Sequence, residues 1–245
     1  MRDVVTSFVA DECPFFAGAV AFQLFFSSIP LLALVVGVLG FAYGSERAQQ
    51  ELAQLIHDIY PSATAQETRI VRQLVEGRGI SLGVGIVGTV LASGAIHGSI
   101  DKALAAILGP GRRRGFVRGH AQAFAFAGAL VALGVVSLAV SLSAGPFSSL
   151  LGFAVGYIPF LLVYQYIPRT RVRSRTARMA ALVSAMLWEL AKLAFGLVTR
   201  SLDTFTAYGP IAFAAVMLTW FYVTAVIILV GAEVIKLKKA QLGTA

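Results

Sequence analysis

Charged side chains fall in clumps along this chain, and the stretches between the clumps are almost wholly apolar. Cys13 to Ser45 holds no Asp, Glu, Lys or Arg, and neither do Gly79 to Ile100, Gly119 to Pro168 and Thr204 to Ala232. About 20 apolar residues in a helix cross a ~30 Å hydrocarbon core, so each gap is long enough to span a bilayer. The third gap has room for two helices, and Gly145-Pro146 in "SLSAGPFSSL" is the turn between them. A further apolar run, Met179 to Thr199, is interrupted by Glu189 and Lys192 alone.

The pattern predicts an all-α polytopic membrane protein, residues 1–245 forming one membrane domain. Its six spans are expected near 17–43, 80–100, 121–143, 147–167, 179–199 and 208–235. The run from Ala17 to Tyr43 is too long for the apolar core of a cleaved signal peptide. Residues 46–78 follow a helical period instead. Leu52, Leu55, Ile56 and Ile59 share one face, Ile70, Val71, Leu74 and Val75 another, with a break at Pro61. This segment is expected to be an amphipathic helical hairpin on the extracytoplasmic side, between the first and second spans. A weaker amphipathic segment, "VVTSFVADECPFF", precedes the first span and is expected in the cytoplasmic leaflet.

Composition agrees with a bilayer as solvent: 58% of residues are hydrophobic and 13% charged, with a mean hydropathy of +0.80. One cysteine, Cys13, makes no intramolecular disulfide, and His57, His97 and His120 have no metal-ligand spacing. No metal, cofactor or catalytic set is expected.

The formal charge of +8 raises the question of nucleic acid, since "GRRRGFVRG" and "RTRVRSRTAR" are basic runs. Their placement answers it. The runs follow the second and fourth spans, and Lys236, Lys238 and Lys239 follow the sixth, whereas the loops "SAGP" and "RSLDTFTAYG" are nearly free of basic residues. That is the positive-inside pattern, and it puts both termini in the cytoplasm. Arg112, Arg113, Arg114, Arg169, Arg171 and Arg173 are then expected to meet anionic lipid headgroups. No aromatic interleaving of the kind that stacks bases accompanies them.

Polar residues inside the spans are the candidates for function. In "AFQLFFSSIPLL", Pro30 frees a backbone carbonyl one turn back, and Gln23 and Ser27 lie a turn apart. In the second span Ser81, Gly85, Thr89, Ser93 and His97 recur every four residues, beside a small pair at Gly94 and Gly98 that invites close helix packing. Glu189 and Lys192 in "AMLWELAKLAF" are the sharpest feature. A charge near the middle of a membrane helix costs about 2.5–3.5 kcal/mol on insertion scales, so pairing, a helix contact or water must compensate. Three residues apart, they can pair with each other. Glu233 in "GAEVIKLKK" is nearer a helix end and is expected to be solvated.

Three segments together resemble the YihY/BrkB family of bacterial inner-membrane proteins: "AVAFQLFFSSIPLLALVVGVLG", "IPRTRVRSRTARMAALVSAMLWELAKLAFG" and "YGPIAFAAVMLTWFYVTAVIILVGAEV". Ser27 and Pro30 fit the family's Ser-x-x-Pro, and Trp188 and Lys192 its fifth-helix positions. Tyr208-Gly209, Trp220, Tyr222 and Gly231-Ala232-Glu233 fit its closing motif. Ala105 and Ala180 depart from it, standing where Asn and Gly are expected. The resemblance implies a six-helix inner-membrane protein of unestablished activity, a family once labelled a ribonuclease. Phosphodiester hydrolysis wants metal-binding carboxylates or a positioned acid–base pair, and the basic loops offer mainly arginine, so that label is rejected.

Two functions remain. In one, Gln23, Ser27, Pro30, Thr89, Ser93, His97, Glu189 and Lys192 line a path for a lipid-like or amphiphilic substrate. In the other, the chain is a scaffold for envelope integrity in which those residues lock the bundle, and anionic lipid, a second copy or an envelope protein is the partner. No GxxxxGK[ST] phosphate loop occurs, so transport would be passive, ion-coupled or driven by a partner.

Overall fold

The computed structural model describes residues 2–42, 77–111, 148–201 and 209–243. All regular structure in them is α-helical: α1 (Arg2–Ala10), α2 (Cys13–Ala42), α3 (Arg78–Leu108), α4 (Ser148–Tyr166), α5 (Ser174–Ser201) and α6 (Gly209–Gly243). Four of these contain stretches long and apolar enough to cross a membrane, Cys13–Leu31, Leu82–Leu108, Ser174–Gly196 and Ala214–Gln241. Helix α4 lies where the fourth span is expected. The expected third span and the hairpin, apart from its last residues, lie outside the described residues.

Local chemistry sets the helix ends. Glu12 joins α1 to α2: its N–H reaches the Val9 carbonyl at 3.1 Å, while its own carbonyl accepts from the N–H groups of Phe15 (3.0 Å) and Phe16 (3.2 Å). The reversal requires a left-handed backbone at Glu12, φ 54°, which costs a side-chain-bearing residue about 1–2 kcal/mol. Pro14 follows in the first turn of α2, where no N–H is needed. Helix α3 stops at Gly109, whose φ of 95° suits glycine and whose N–H bonds the Ala105 carbonyl at 3.1 Å, with Pro110 behind it.

The contacts divide the chain into two compact units, residues 1–23 with 94–245, and residues 24–93. In the smaller unit α2 and α3 approach closely at glycine. A methyl group built on Gly85 would collide with the Leu34 backbone, and one on Gly88 with the Pro30 ring. Small residues were expected to bring helices together at Gly94 and Gly98. A methyl there meets nothing within 4 Å among the described residues. Among those residues the close approach lies nearer the N-terminus of α3, where Gly85 faces Leu34 and Gly88 the ring of Pro30.

In the larger unit α5 packs between α4 and α6, and α1 lies along α6. The joint of the three long helices is polar. Tyr164, wholly buried, donates to the Ile228 carbonyl at 2.8 Å and sits 2.7 Å from the Ser184 hydroxyl, which reaches the Ile227 carbonyl at 3.3 Å. Both hydroxyls occupy the place where a side chain at residue 231 would begin, so only glycine fits there. Above this joint an aromatic chain links the helices: Phe160 edge-on to Trp188 (6.2 Å), Trp188 on Trp220 (4.6 Å), and Trp220 on Phe195 (4.7 Å).

Candidate functional site

Helix α5 carries Glu189 and Lys192 one turn apart, and their side chains close an ion pair of 2.8 Å. The pair is neither sealed nor free: Glu189 keeps 36% and Lys192 44% of its side-chain surface. Met186, Leu190 and Leu193 around it are exposed and apolar. Lys192 is four residues after Trp188 and three before Phe195, so the ammonium shares a helix face with two rings of the aromatic chain. On α4, Gly156 leaves room: a methyl there would stand 3.7 Å from a Glu189 carboxylate oxygen. The result is a compact dipole of opposite charges on an apolar, partly open helix face.

A second Glu-x-x-Lys recurs on α6, Glu233 to Lys236, and sequence reasoning missed the repetition although "ELAK" and "EVIK" share the spacing. Its partners differ. Lys236 bonds the Asp11 carboxylate in the turn after α1 and, at 3.2 Å, the Ser7 hydroxyl on α1. Glu233 was expected to be solvated; instead it is fully buried, because α1 lies over this stretch of α6. One of its oxygens lies 3.5 Å from the Cys13 thiol, and Oε2 has no hydrogen-bond partner among the described residues. A buried polar atom left so costs about 1–3 kcal/mol.

A third ionic contact ties the end of α3 to the loop after α4. Arg169 grips Asp101 with two nitrogens, Nε standing 3.0 Å from both carboxylate oxygens and Nη2 reaching Oδ2 at 2.5 Å. These hydrogen bonds hold the Arg169 guanidinium charged above its ordinary range. Of the arginines expected at headgroups, Arg169 is therefore occupied by protein. Arg171 and Arg173 are exposed, and Arg112, Arg113 and Arg114 lie outside the described residues.

The other expected pathway residues divide between the two units. Gln23 and His97 are half-buried in the larger one. Ser27 and Ser93 are buried in the smaller, where Ser93 donates to its own helix at the Val90 carbonyl (2.8 Å). The Thr89 hydroxyl, beside the Gly88–Pro30 contact, is buried with no hydrogen-bond partner among the described residues. Among those residues no cluster of three or more His, Cys, Asp or Glu side chains is placed to hold a metal ion.

Against known proteins, residues 4–241 match the family described as virulence factor BrkB. The chain is similar to a UPF0761 membrane protein of Aeromonas salmonicida, with 29% identity over 94% of this chain and 85% of that one. It is also similar to UPF0761 membrane proteins of Ralstonia nicotianae, 31% identical over 91% of this chain, and Alkalilimnicola ehrlichii, 28% identical over 94%. The chain spans only 55% and 56% of the length of these last two. No solved structure matches it.

Proposed function

Since the chain belongs to the BrkB virulence-factor family of membrane proteins, we propose that it moves an amphiphilic, lipid-like molecule along the open face of α5 in a bacterial inner membrane. In this reading the chain forms one membrane domain of six spans with both termini cytoplasmic and the 46–78 hairpin on the far side. The observation that carries it is the half-exposed Glu189–Lys192 pair on an apolar face. Sealing a pair away adds a desolvation cost that its attraction need not repay; this one stays half open, so its charges remain available to whatever lies beside the helix. Lys192 supplies a cation for a phosphate or carboxylate, and Glu189 an acceptor for an ammonium. Met186, Leu190 and Leu193 offer the apolar flank that acyl chains need.

The scaffold reading draws support from the remaining charges. Asp101–Arg169 and Asp11–Lys236 are closed within the protein, and Ser28, Ser93, Thr219 and Thr224 donate to carbonyls of their own helices. Purified protein reconstituted into vesicles separates the two readings. Translocation predicts protein-dependent leaflet exchange of a labelled phospholipid with no uptake of a hydrophilic solute. Exchange no faster than in protein-free vesicles favours the scaffold.

A further inference from the structure

We propose that α1 is a releasable latch on α6, and that Lys236 is the switch: it pairs with Asp11 while α1 is docked and with Glu233 of its own helix when α1 is released. Four observations combine. Glu233 and Lys236 have the spacing at which Glu189 and Lys192 close an ion pair of 2.8 Å on α5, so the alternative pairing is sterically available. In the docked state Glu233 is wholly buried among Ser7, Asp11, Cys13 and Lys236, with Oε2 lacking a hydrogen-bond partner among the described residues. Release of α1 would put water in place of the Ser7 and Asp11 side chains beside that carboxylate and leave Lys236 to it alone.

The third observation concerns what holds α1 in place. None of its described side chains is buried, and Val5 and Val9 are each 65% exposed, so the Asp11 and Ser7 contacts to Lys236 provide a large share of its grip. The fourth is the joint. Glu12, in the left-handed region, is a strained single-residue hinge between α1 and α2. The ionisable groups at this contact are Asp11 and Glu12 in the turn after α1, Cys13 on α2, and Glu233 and Lys236 on α6. Release exchanges one Lys236 carboxylate partner for another, so the count of ion pairs is unchanged and the two states lie close in free energy. Neither state requires an unpaired lysine.

Cys13, the chain's single cysteine, is fully buried beside Glu233 and reports the latch without an engineered label. The experiment measures its rate of alkylation by N-ethylmaleimide in the full chain held in lipid nanodiscs. Asp11→Asn weakens the docked pairing and should speed labelling about tenfold. Glu233→Gln removes the negative charge that the released state pairs with Lys236 and should slow labelling below the wild-type rate. The double variant should return towards wild type. If α1 is held by packing alone, both single variants loosen it and both speed labelling. A faster rate in Glu233→Gln, or an unchanged rate in Asp11→Asn, overturns the proposal. Cleavage after Glu12 by a glutamate-specific protease gives an independent reading for Glu233→Gln: slower cleavage supports the latch, and equal or faster cleavage contradicts it.

Discussion

Helices α5 and α6 each carry Glu-x-x-Lys, and the two copies have come to opposite ends. On α5 the pair closes on itself and stays half open to its surroundings. On α6 a short N-terminal helix takes the lysine and buries the glutamate. Identical spacing on one helix face therefore does not determine an ion pair; the elements that cover the face do. A pair left to itself keeps charge available to a ligand, whereas a pair divided between helices becomes a connection between them.

Removing each lysine in turn puts the largest strain on this contrast. Lys236→Met takes the cation from Asp11 and from beside the buried Glu233; because the pair is partly exposed, the loss should fall short of the cost at a fully buried pair, about 3–5 kcal/mol. Lys192→Met leaves one half-exposed carboxylate and should cost clearly less. Thermal unfolding of both variants in one detergent tests the order, and equal losses would erase the distinction between the two pairs.

Glycines beside each pair give a smaller contrast. Gly231→Ala drives a methyl into Tyr164 and Ser184, an overpacking expected to cost about 1–3 kcal/mol. Gly156→Ala places a methyl at ordinary contact distance from Glu189 and should change stability by no more than about 0.5 kcal/mol. Similar melting shifts in the two variants would mean that the Tyr164 joint is no tighter than the open face of α5. The smallest effect is expected in the other unit. Thr89→Val replaces a buried hydroxyl with no partner among the described residues by a methyl of the same shape, which should be neutral or slightly stabilising. A marked loss would show that this hydroxyl has a partner in the membrane.

The helices were legible in the sequence because a bilayer forbids what a soluble core tolerates: gaps between charges mark where α2, α3, α4 and α6 run. Glu189 and Lys192 were legible too, since their partnership is local. Glu233 was not. Its burial depends on Ser7, Asp11 and Cys13, more than 200 residues away, and no periodicity in α6 records which helix lies over it. The pairing of Arg169 was hidden for the same reason, its carboxylate partner lying 68 residues away at the end of α3. The small-residue stripe of α3 was visible, but that Gly85 meets Leu34, and Gly88 beside the stripe meets Pro30, depends on which residues the facing helix brings.

Topology sets the frame for all of this. A reporter fused after Ala65 should signal the extracytoplasmic compartment, and fusions after Arg113 and Arg173 the cytoplasm; a cytoplasmic signal at Ala65 would overturn the six-span arrangement.

The claim that the α5 pair serves a ligand is tested most directly by leaflet exchange in vesicles containing the double variant Glu189→Gln with Lys192→Met. Removing both charges together avoids an uncompensated one, so the protein should insert and melt as the wild type does. An accompanying exchange variant, Glu189→Lys with Lys192→Glu, keeps the pair but reverses its polarity along the helix. The account predicts that the neutral double variant loses lipid exchange and that the reversed pair does not restore it. Wild-type exchange rates in a stably folded neutral double variant would contradict it.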